Sequence, residues 1–153
     1  MVGIGSKAGA LLSAGLAVAL LGGLAGCSSD DAASVDVTLS EWIVEPDPTS
    51  ADSGEVEFVG DNKGSETHEL VVVAAESAEA LPTDADGAVV EEELPEGALI
   101  GEIEDIEAGS SKTVKLDLEA GSYVIFCNIT DEEPDGTIES HFAEGMHTSF
   151  DIP

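Results

Sequence analysis

The sequence contains few cysteines, few aromatic residues and very few basic residues. Its 153 residues include two cysteines, one tryptophan, one tyrosine, four phenylalanines, and four lysines and arginines against 33 acidic residues. The formal charge of −29 disfavours binding to nucleic acids and to anionic lipid head groups, because both are negatively charged. The chain also has no glycine-rich nucleotide-binding motif and no local signature of a Ser/His/Asp triad. With so few aromatics, its core must consist mainly of Val, Ile, Leu and Ala.

The excess of acid indicates what kind of partner the protein could meet. A strongly negative surface suits a partner protein with a basic docking surface, or a saline habitat in which charge is screened. The alternative is that the acidic residues form only a solvated surface, since net charge affects solubility and encounter rates rather than the fold.

The N-terminus is typical of an export signal. Lys7 is the one charged residue among residues 1–26, and residues 11–24 are almost wholly apolar or small. A short basic start, an apolar run and small residues at its end match a secretory signal peptide. The run is too short and too rich in Gly and Ala to predict a membrane span. We therefore predict that residues 1–26 are a signal peptide.

The end of this signal resembles that of bacterial lipoproteins. Residues 24–27 read "LAGC", and in the lipoprotein signal the cysteine is lipidated and becomes the first residue of the mature chain. We predict lipidation at Cys27 and a polar linker over 27–34, which would hold the protein on the extracytoplasmic face of the cell membrane. The alternative is an ordinary signal peptide cut near Ala25.

A lipidated Cys27 leaves Cys127 as the only thiol of the mature chain. Outside the cytoplasm, cysteines are usually paired in disulfides, so an unpaired one calls for an explanation. It could be a small buried hydrophobe, a reactive thiol or a metal ligand.

Residues 35–153 have the length of one domain and a pattern of short strands. Alternating or β-branched runs separated by turn residues predict an all-β Greek-key sandwich of about seven to eight strands. The predicted strands cover 35–44, 55–60, 68–75, 98–106, 111–120, 121–129 and 147–152. The strand over 68–75 is apolar enough to be buried on both faces, and residues 76–98 form a long acidic connection.

Four side chains of soft or borderline ligand character stand at the ends of these predicted strands. His68 begins the third strand, Cys127 ends the penultimate one, and His141 and Met146 lie before the last. If the third and penultimate strands are close together, these side chains can meet at one end of the sandwich. Two imidazoles, a thiolate and a weak axial thioether form a type 1 copper site. Taken singly, each has a simpler interpretation: a capping histidine, a core thiol or a core methionine.

Three segments carry a family resemblance that covers nearly the whole mature chain. Residues 61–70, "DNKGSETHEL", have an Asn-x-Gly…His pattern. Residues 120–128, "AGSYVIFCN", have Gly-x-Tyr before a cysteine, and residues 141–146, "HFAEGM", read His-x-x-x-Gly-Met. In this order the three motifs resemble the cupredoxins, of the plastocyanin, azurin and sulfocyanin-like type.

The resemblance implies a cupredoxin domain over 35–153 that transfers single electrons outside the cytoplasm, without enzymatic activity, between redox partner proteins. It implies one copper ion per chain. The implied ligands are His68, Cys127, His141 and Met146. The exposed edge of His141 is then the expected exit route for the electron.

One departure from the family pattern leaves alternatives open. Thirteen residues separate Cys127 from His141, where the family has only a few. The excess, residues 130–140, is acidic and turn-forming, and we predict a surface insertion. Two alternatives therefore remain for the site: a perturbed type 1 centre, and His147 as ligand in place of His141. Two remain for the function: a copper carrier or storage protein without redox turnover, and a metal-free sandwich.

Overall fold

The computed structural model describes residues 32–153. The signal peptide over 1–26, the lipidation at Cys27 and most of the linker over 27–34 lie outside these residues. Within residues 32–153, no helix has the length and apolar character needed to span a membrane.

The described chain folds into ten strands and two short 3-10 helices. The strands are β1 (Ala33–Ser40), β2 (Ile43–Asp47), β3 (Gly54–Asn62), β4 (His68–Ala74), β5 (Leu99–Ile106), β6 (Ser111–Leu118), β7 (Gly121–Phe126), β8 (Thr130–Glu132), β9 (Ile138–Ser140) and β10 (His147–Ile152). The 3-10 helices cover Ala78–Ala80 and Glu91–Glu93, within the connection from β4 to β5.

Eight of these strands form two four-stranded sheets. The order is β2-β1-β3-β6 in the first sheet and β10-β7-β4-β5 in the second, and β8 pairs only with β9. The pairs are antiparallel except β1 with β3, which is parallel. The chain changes sheet after β3, β5 and β6, so that strands adjacent in sequence often lie in different sheets. The predicted all-β sandwich is confirmed.

The central strand β4 packs on both faces, as predicted. Leu70 and Val72 are fully buried in the core between the sheets. Val71 and Val73 are equally buried on the opposite face, in a second apolar cluster with residues from the connection between β4 and β5. That connection therefore covers the outer face of the second sheet, which explains the nearly continuous apolar run of β4.

The single strand predicted over 35–44 is wrong. The chain reverses after Ser40 and returns as β2, with Ser40 opposite Ile43. Strand β1 also begins at Ala33, inside the predicted linker. The buried positions are odd-numbered as far as Leu39 and even-numbered from Val44, a change of parity that one continuous strand cannot have.

The acidic insertion at 130–140 is a β-hairpin. Strands β8 and β9 pair antiparallel, with Asp131 opposite Glu139. Its turn is closed by the Asp135 side chain, which accepts hydrogen bonds from the backbone and hydroxyl of Thr137 at 3.0 and 2.7 Å. The predicted surface insertion is thus present and has a defined structure.

Candidate metal centre

The pairing of β4 with β7 brings two of the predicted ligands together. The two strands are antiparallel neighbours, with Val71 opposite Phe126. The start of β4 and the end of β7 therefore lie at the same end of the sandwich. His68 is the first residue of β4 and Cys127 directly follows β7, and the Sγ of Cys127 lies 4.0 Å from Nδ1 of His68.

His141 joins this pair from the far side of the β8–β9 hairpin. Its backbone N–H donates to the carbonyl oxygen of Ile129 at 3.0 Å, which closes the base of the hairpin. Its Nδ1 lies 3.4 Å from Sγ of Cys127 and 3.3 Å from Nδ1 of His68. All three side chains are fully buried, and together they form a cluster able to hold a metal ion.

The donor atoms of this cluster suit one soft or borderline metal ion. Nitrogen and sulfur ligands lie about 2.0–2.3 Å from such an ion, so three of them spread around it are roughly 3.5–4 Å apart. The three separations observed are 3.3, 3.4 and 4.0 Å. Thiolate sulfur favours Cu(I), and imidazole nitrogen binds copper or zinc.

Met146 is held between two of these residues by backbone hydrogen bonds. Its N–H donates to the carbonyl oxygen of His141, and its own carbonyl accepts from the N–H of Cys127, both at 3.0 Å. Gly145 precedes it with φ of 110°, a left-handed conformation that glycine adopts without strain. The Met146 side chain is fully buried in the same apolar core as Cys127. Its role as axial ligand stays a prediction.

His147 lies outside the cluster. It begins β10 opposite Phe126 and is only partly buried. Its ring packs against Phe142 with centroids 4.9 Å apart. The position of His147 supports the choice of His141 as the second histidine ligand.

The loop before His68 is organised by one buried amide. The Nδ2 of Asn62 donates to the carbonyl oxygens of Ile106 and Glu66, both at 2.7 Å, and its Oδ1 accepts from the N–H of Gly64 at 2.9 Å. A buried polar group left without a partner costs about 1–3 kcal/mol, so these bonds stabilise the turn. Asn62 and Gly64 therefore shape this turn.

Asn128 connects the end of β7 to the long connection between β4 and β5. Its side-chain amide accepts from Val89 N–H at 2.7 Å and donates to Val89 oxygen at 2.9 Å and to Glu91 at 3.2 Å. Its backbone N–H donates to the Glu69 carboxylate at 2.9 Å. Burial raises the pKa of Glu69 to about 7. These bonds limit the motion of the segment that carries Cys127.

The structure also identifies a hydrogen-bond donor to the thiol. The backbone N–H of Glu69 lies 3.4 Å from Sγ of Cys127 and points at it. A donor at this distance stabilises negative charge on the sulfur and thereby affects the reduction potential of a bound metal ion. No sequence signal distinguishes this N–H from others, since it depends on the register of β4 against β7.

Sequence reasoning missed the carboxylates that surround the two imidazoles. Nε2 of His68 lies 3.8 Å from the Glu41 carboxylate. Nε2 of His141 lies 3.3 Å from Asp131 and 3.7 Å from Glu66. Both Nε2 atoms are buried and make no hydrogen bond of good geometry. Glu41 and Glu66 are distant along the chain from the histidine that each one faces, and Asp131 lies in the insertion, so local patterns do not reveal these contacts.

Glu41 is held firmly in this position. Its Oε1 accepts the backbone N–H groups of Ser65 at 2.6 Å and Glu66 at 2.9 Å. Its pKa is lowered to about 2, mainly because the carboxylate accepts hydrogen bonds from its own backbone N–H and from that of Glu66. A Cβ at Gly64 would lie 2.6 Å from Oε1 of Glu41, so the glycine leaves room for this carboxylate.

Trp42 lies against the cluster. Its ring meets the His141 ring edge-on, with centroids 5.3 Å apart and planes at 76°. Trp42 itself is partly exposed. The expected exposed edge of His141 is wrong, because that side chain is 0% exposed. Trp42 and Asp131 of the insertion both lie against this imidazole.

Comparisons with known proteins support the fold. No protein-family model matches the chain, and no curated protein matches it significantly. The chain is similar to reduced auracyanin from the photosynthetic bacterium Roseiflexus castenholzii, with 18% identity and a TM-score of 0.55, over 80% of this chain and 98% of that one. It is similar to auracyanin B with 19% identity and a TM-score of 0.52, over 80% and 89%. The chain has the cupredoxin fold, and the resemblance predicted from its motifs is confirmed at that level.

Burial favours the uncharged forms of Cys127 and His68 when no metal is bound. Burial raises the pKa of the Cys127 thiol from 9.0 to about 11. The pKa of His68 is lowered below its ordinary value, mainly by burial and to a smaller extent by the nearby His141. At neutral pH the thiol is therefore protonated, and metal binding must release its proton.

We predict that this thiol makes the metal-free protein less stable at high pH. The folded-state pKa of Cys127 is raised, so its contribution to the free energy of unfolding is complete below about pH 9 and lost as pH approaches 11. Urea denaturation of the metal-free protein at pH 7 to 11 measures this loss. A Cys127→Ala variant should lose less stability than the wild-type protein over this pH range. An equal loss in both proteins would contradict the assignment of the effect to the Cys127 thiol.

Proposed function

We propose that this protein is a one-electron carrier with a single copper ion in a type 1 centre. The observation that carries the proposal is the buried convergence of two imidazole Nδ1 atoms and one thiol on a cupredoxin fold. His68, Cys127 and His141 would hold the copper ion, and Met146 would supply a further, weaker sulfur ligand.

The ligands suit electron transfer because neither oxidation state is strongly preferred. Thiolate and thioether sulfur favour Cu(I), while imidazole nitrogen binds both states. The ligands are attached to paired strands and to loops braced by Asn62 and Asn128. A scaffold held in this way limits rearrangement when the charge of the centre changes.

The burial of the ligands favours an electron carrier over a copper carrier or storage protein. His68, Cys127, His141 and Met146 are each 0% exposed. Rapid handover of the ion to another protein requires ligands that an acceptor can reach, and these are enclosed by Trp42 and neighbouring loops.

The direct test is the visible spectrum of residues 28–153 titrated with Cu(II). We expect an intense thiolate-to-copper band that reaches its maximum at one equivalent, because the single thiol is a ligand. A Cys127→Ser variant should lose the band and keep the β-sheet circular dichroism spectrum. A chain that binds copper without this band, or binds none, would refute the proposal.

We further propose that the partner has a basic docking surface. Acidic side chains surround the end of the sandwich where the cluster lies, among them Glu41, Glu66, Asp131 and Glu139. Only three lysines, Lys63, Lys112 and Lys115, are present in residues 32–153. Such a surface attracts a basic partner and accelerates its encounter at low salt.

Two small redox complexes of opposite charge test this steering. At an ionic strength of about 10 mM, we expect electron exchange with a cationic complex to be roughly tenfold faster than at about 200 mM. Exchange with an anionic complex should accelerate over the same range, because salt screens repulsion. Rates that do not depend on ionic strength, measured by stopped flow, would remove the electrostatic part of the proposal.

The lipid anchor at Cys27 and the extracytoplasmic location are also proposals. They are supported by the "LAGC" segment at 24–27, the apolar run before it and the polar residues after it. We expect the full chain, expressed in a bacterium, to partition into detergent and to incorporate labelled fatty acid. A Cys27→Ser variant should do neither. Equal partitioning and labelling of both chains would contradict lipidation at this residue.

A further inference from the structure

Both histidines of the cluster are oriented in the same way. Their Nδ1 atoms face one another at 3.3 Å beside the Cys127 sulfur. Their Nε2 atoms face outward, that of His68 toward Glu41 at 3.8 Å and that of His141 toward Asp131 at 3.3 Å. Each ring thus stands between the thiol on one side and a carboxylate on the other.

This orientation bears on the position of the ring proton. A neutral imidazole carries one N–H, and its position depends on what the other nitrogen contacts. A carboxylate facing Nε2 stabilises the tautomer with the proton on Nε2, which leaves a lone pair on Nδ1 for a metal. The thiol of Cys127, 3.4 Å from Nδ1 of His141, can donate to that lone pair in the metal-free protein.

The two carboxylates are attached to different parts of the fold. Glu41 lies in the β1–β2 turn and is held by the backbone N–H groups of Ser65 and Glu66. Asp131 lies in β8, opposite Glu139 of β9. The insertion therefore supplies the carboxylate closest to His141. The β1–β2 turn, which the sequence did not predict, supplies the carboxylate closest to His68.

We propose that Glu41 and Asp131 are positioning residues for the metal centre. Each holds the proton of one histidine on Nε2, so that both Nδ1 atoms are available as ligands, and each favours the more highly charged, oxidised form of the bound ion. This inference rests on the proposed function, and it assigns the acidic insertion a role within the centre.

The physical basis is the interaction of a negative charge with a ligand ring. A carboxylate held near the outer N–H of a metal-bound imidazole, here 3.8 Å from His68 and 3.3 Å from His141, attracts that proton and makes the ring a stronger donor. Low dielectric strengthens this interaction, and both imidazoles are 0% exposed. A stronger donor and a nearby negative charge both stabilise Cu(II) more than Cu(I).

Glu66 is a second acid near His141, and the test must allow for it. Its carboxylate lies 3.7 Å from Nε2, against 3.3 Å for Asp131. Loss of Asp131 alone could be partly compensated by Glu66. The double variant Asp131→Asn/Glu66→Gln therefore accompanies the single variants.

The first measurement uses the metal-free protein and is independent of copper. Nitrogen-15 NMR distinguishes imidazole tautomers, and in the wild-type protein we expect His68 and His141 to carry their proton on Nε2. In Glu41→Gln, the fraction of His68 in this tautomer should fall; in Asp131→Asn/Glu66→Gln, that of His141 should fall. Wild-type rings protonated mainly on Nδ1 would overturn the inference.

The second measurement is the reduction potential of the copper-loaded protein. We expect Glu41→Gln to lower Cu(II) affinity relative to Cu(I) about tenfold, which raises a one-electron potential by about 59 mV. Asp131→Asn should raise the potential in the same direction, and Asp131→Asn/Glu66→Gln should raise it further. An Asp131→Glu variant should retain most of the wild-type value. Glu132→Gln and Glu45→Gln remove the same charge from neighbouring positions of β8 and β2, and they serve as matched controls.

The outcomes separate this inference from the proposed function. If the variants raise the potential no more than their matched controls, the effect is one of overall charge and the positioning role is wrong. If the wild-type protein binds no copper, the proposed function fails, while the tautomers of the metal-free protein still decide the positioning role.

Discussion

The hydrogen-bonded pairing of β4 with β7 is the contact on which the metal cluster depends. It aligns the first residue of β4 with the end of β7, and so places His68 beside Cys127, 59 residues apart in sequence. Both strands lie in the middle of their sheet and are covered on both faces. A slip of one residue would turn each side chain to the opposite face and separate the two ligands.

The remaining parts of the site depend on this pair. The loop that carries His141 and Met146 closes onto Cys127 through backbone hydrogen bonds, and Asn62 and Asn128 tie the flanking loops to neighbouring segments. The outer side of the cluster consists of the acidic hairpin, Trp42 and the β1–β2 turn. The cluster is thus buried although it lies at one end of the sandwich.

Patterns of alternating residues predicted most of the strands, because a half-buried strand shows its period directly in sequence. The continuous apolar run of β4 likewise indicated burial on both faces. The reversal at Glu41 and Trp42 was missed, since it is stabilised by Ser65 and Glu66, more than twenty residues away. The exposed edge expected for His141 was wrong for a related reason: the insertion that covers it has no counterpart in the family pattern.

The sequence by itself determined the all-β architecture and the order of the four ligand-type side chains, because periodicity and short motifs are local properties. Only the tertiary structure decided how those side chains meet, which histidine joins the cluster and which acids face the imidazoles. These features depend on strand register and loop closure between distant segments, such as the pairing that sets His68 against Cys127 and the hairpin that carries Asp131 to His141. The free energy that stabilises this arrangement comes from packing and hydrogen bonds between segments that are distant in sequence.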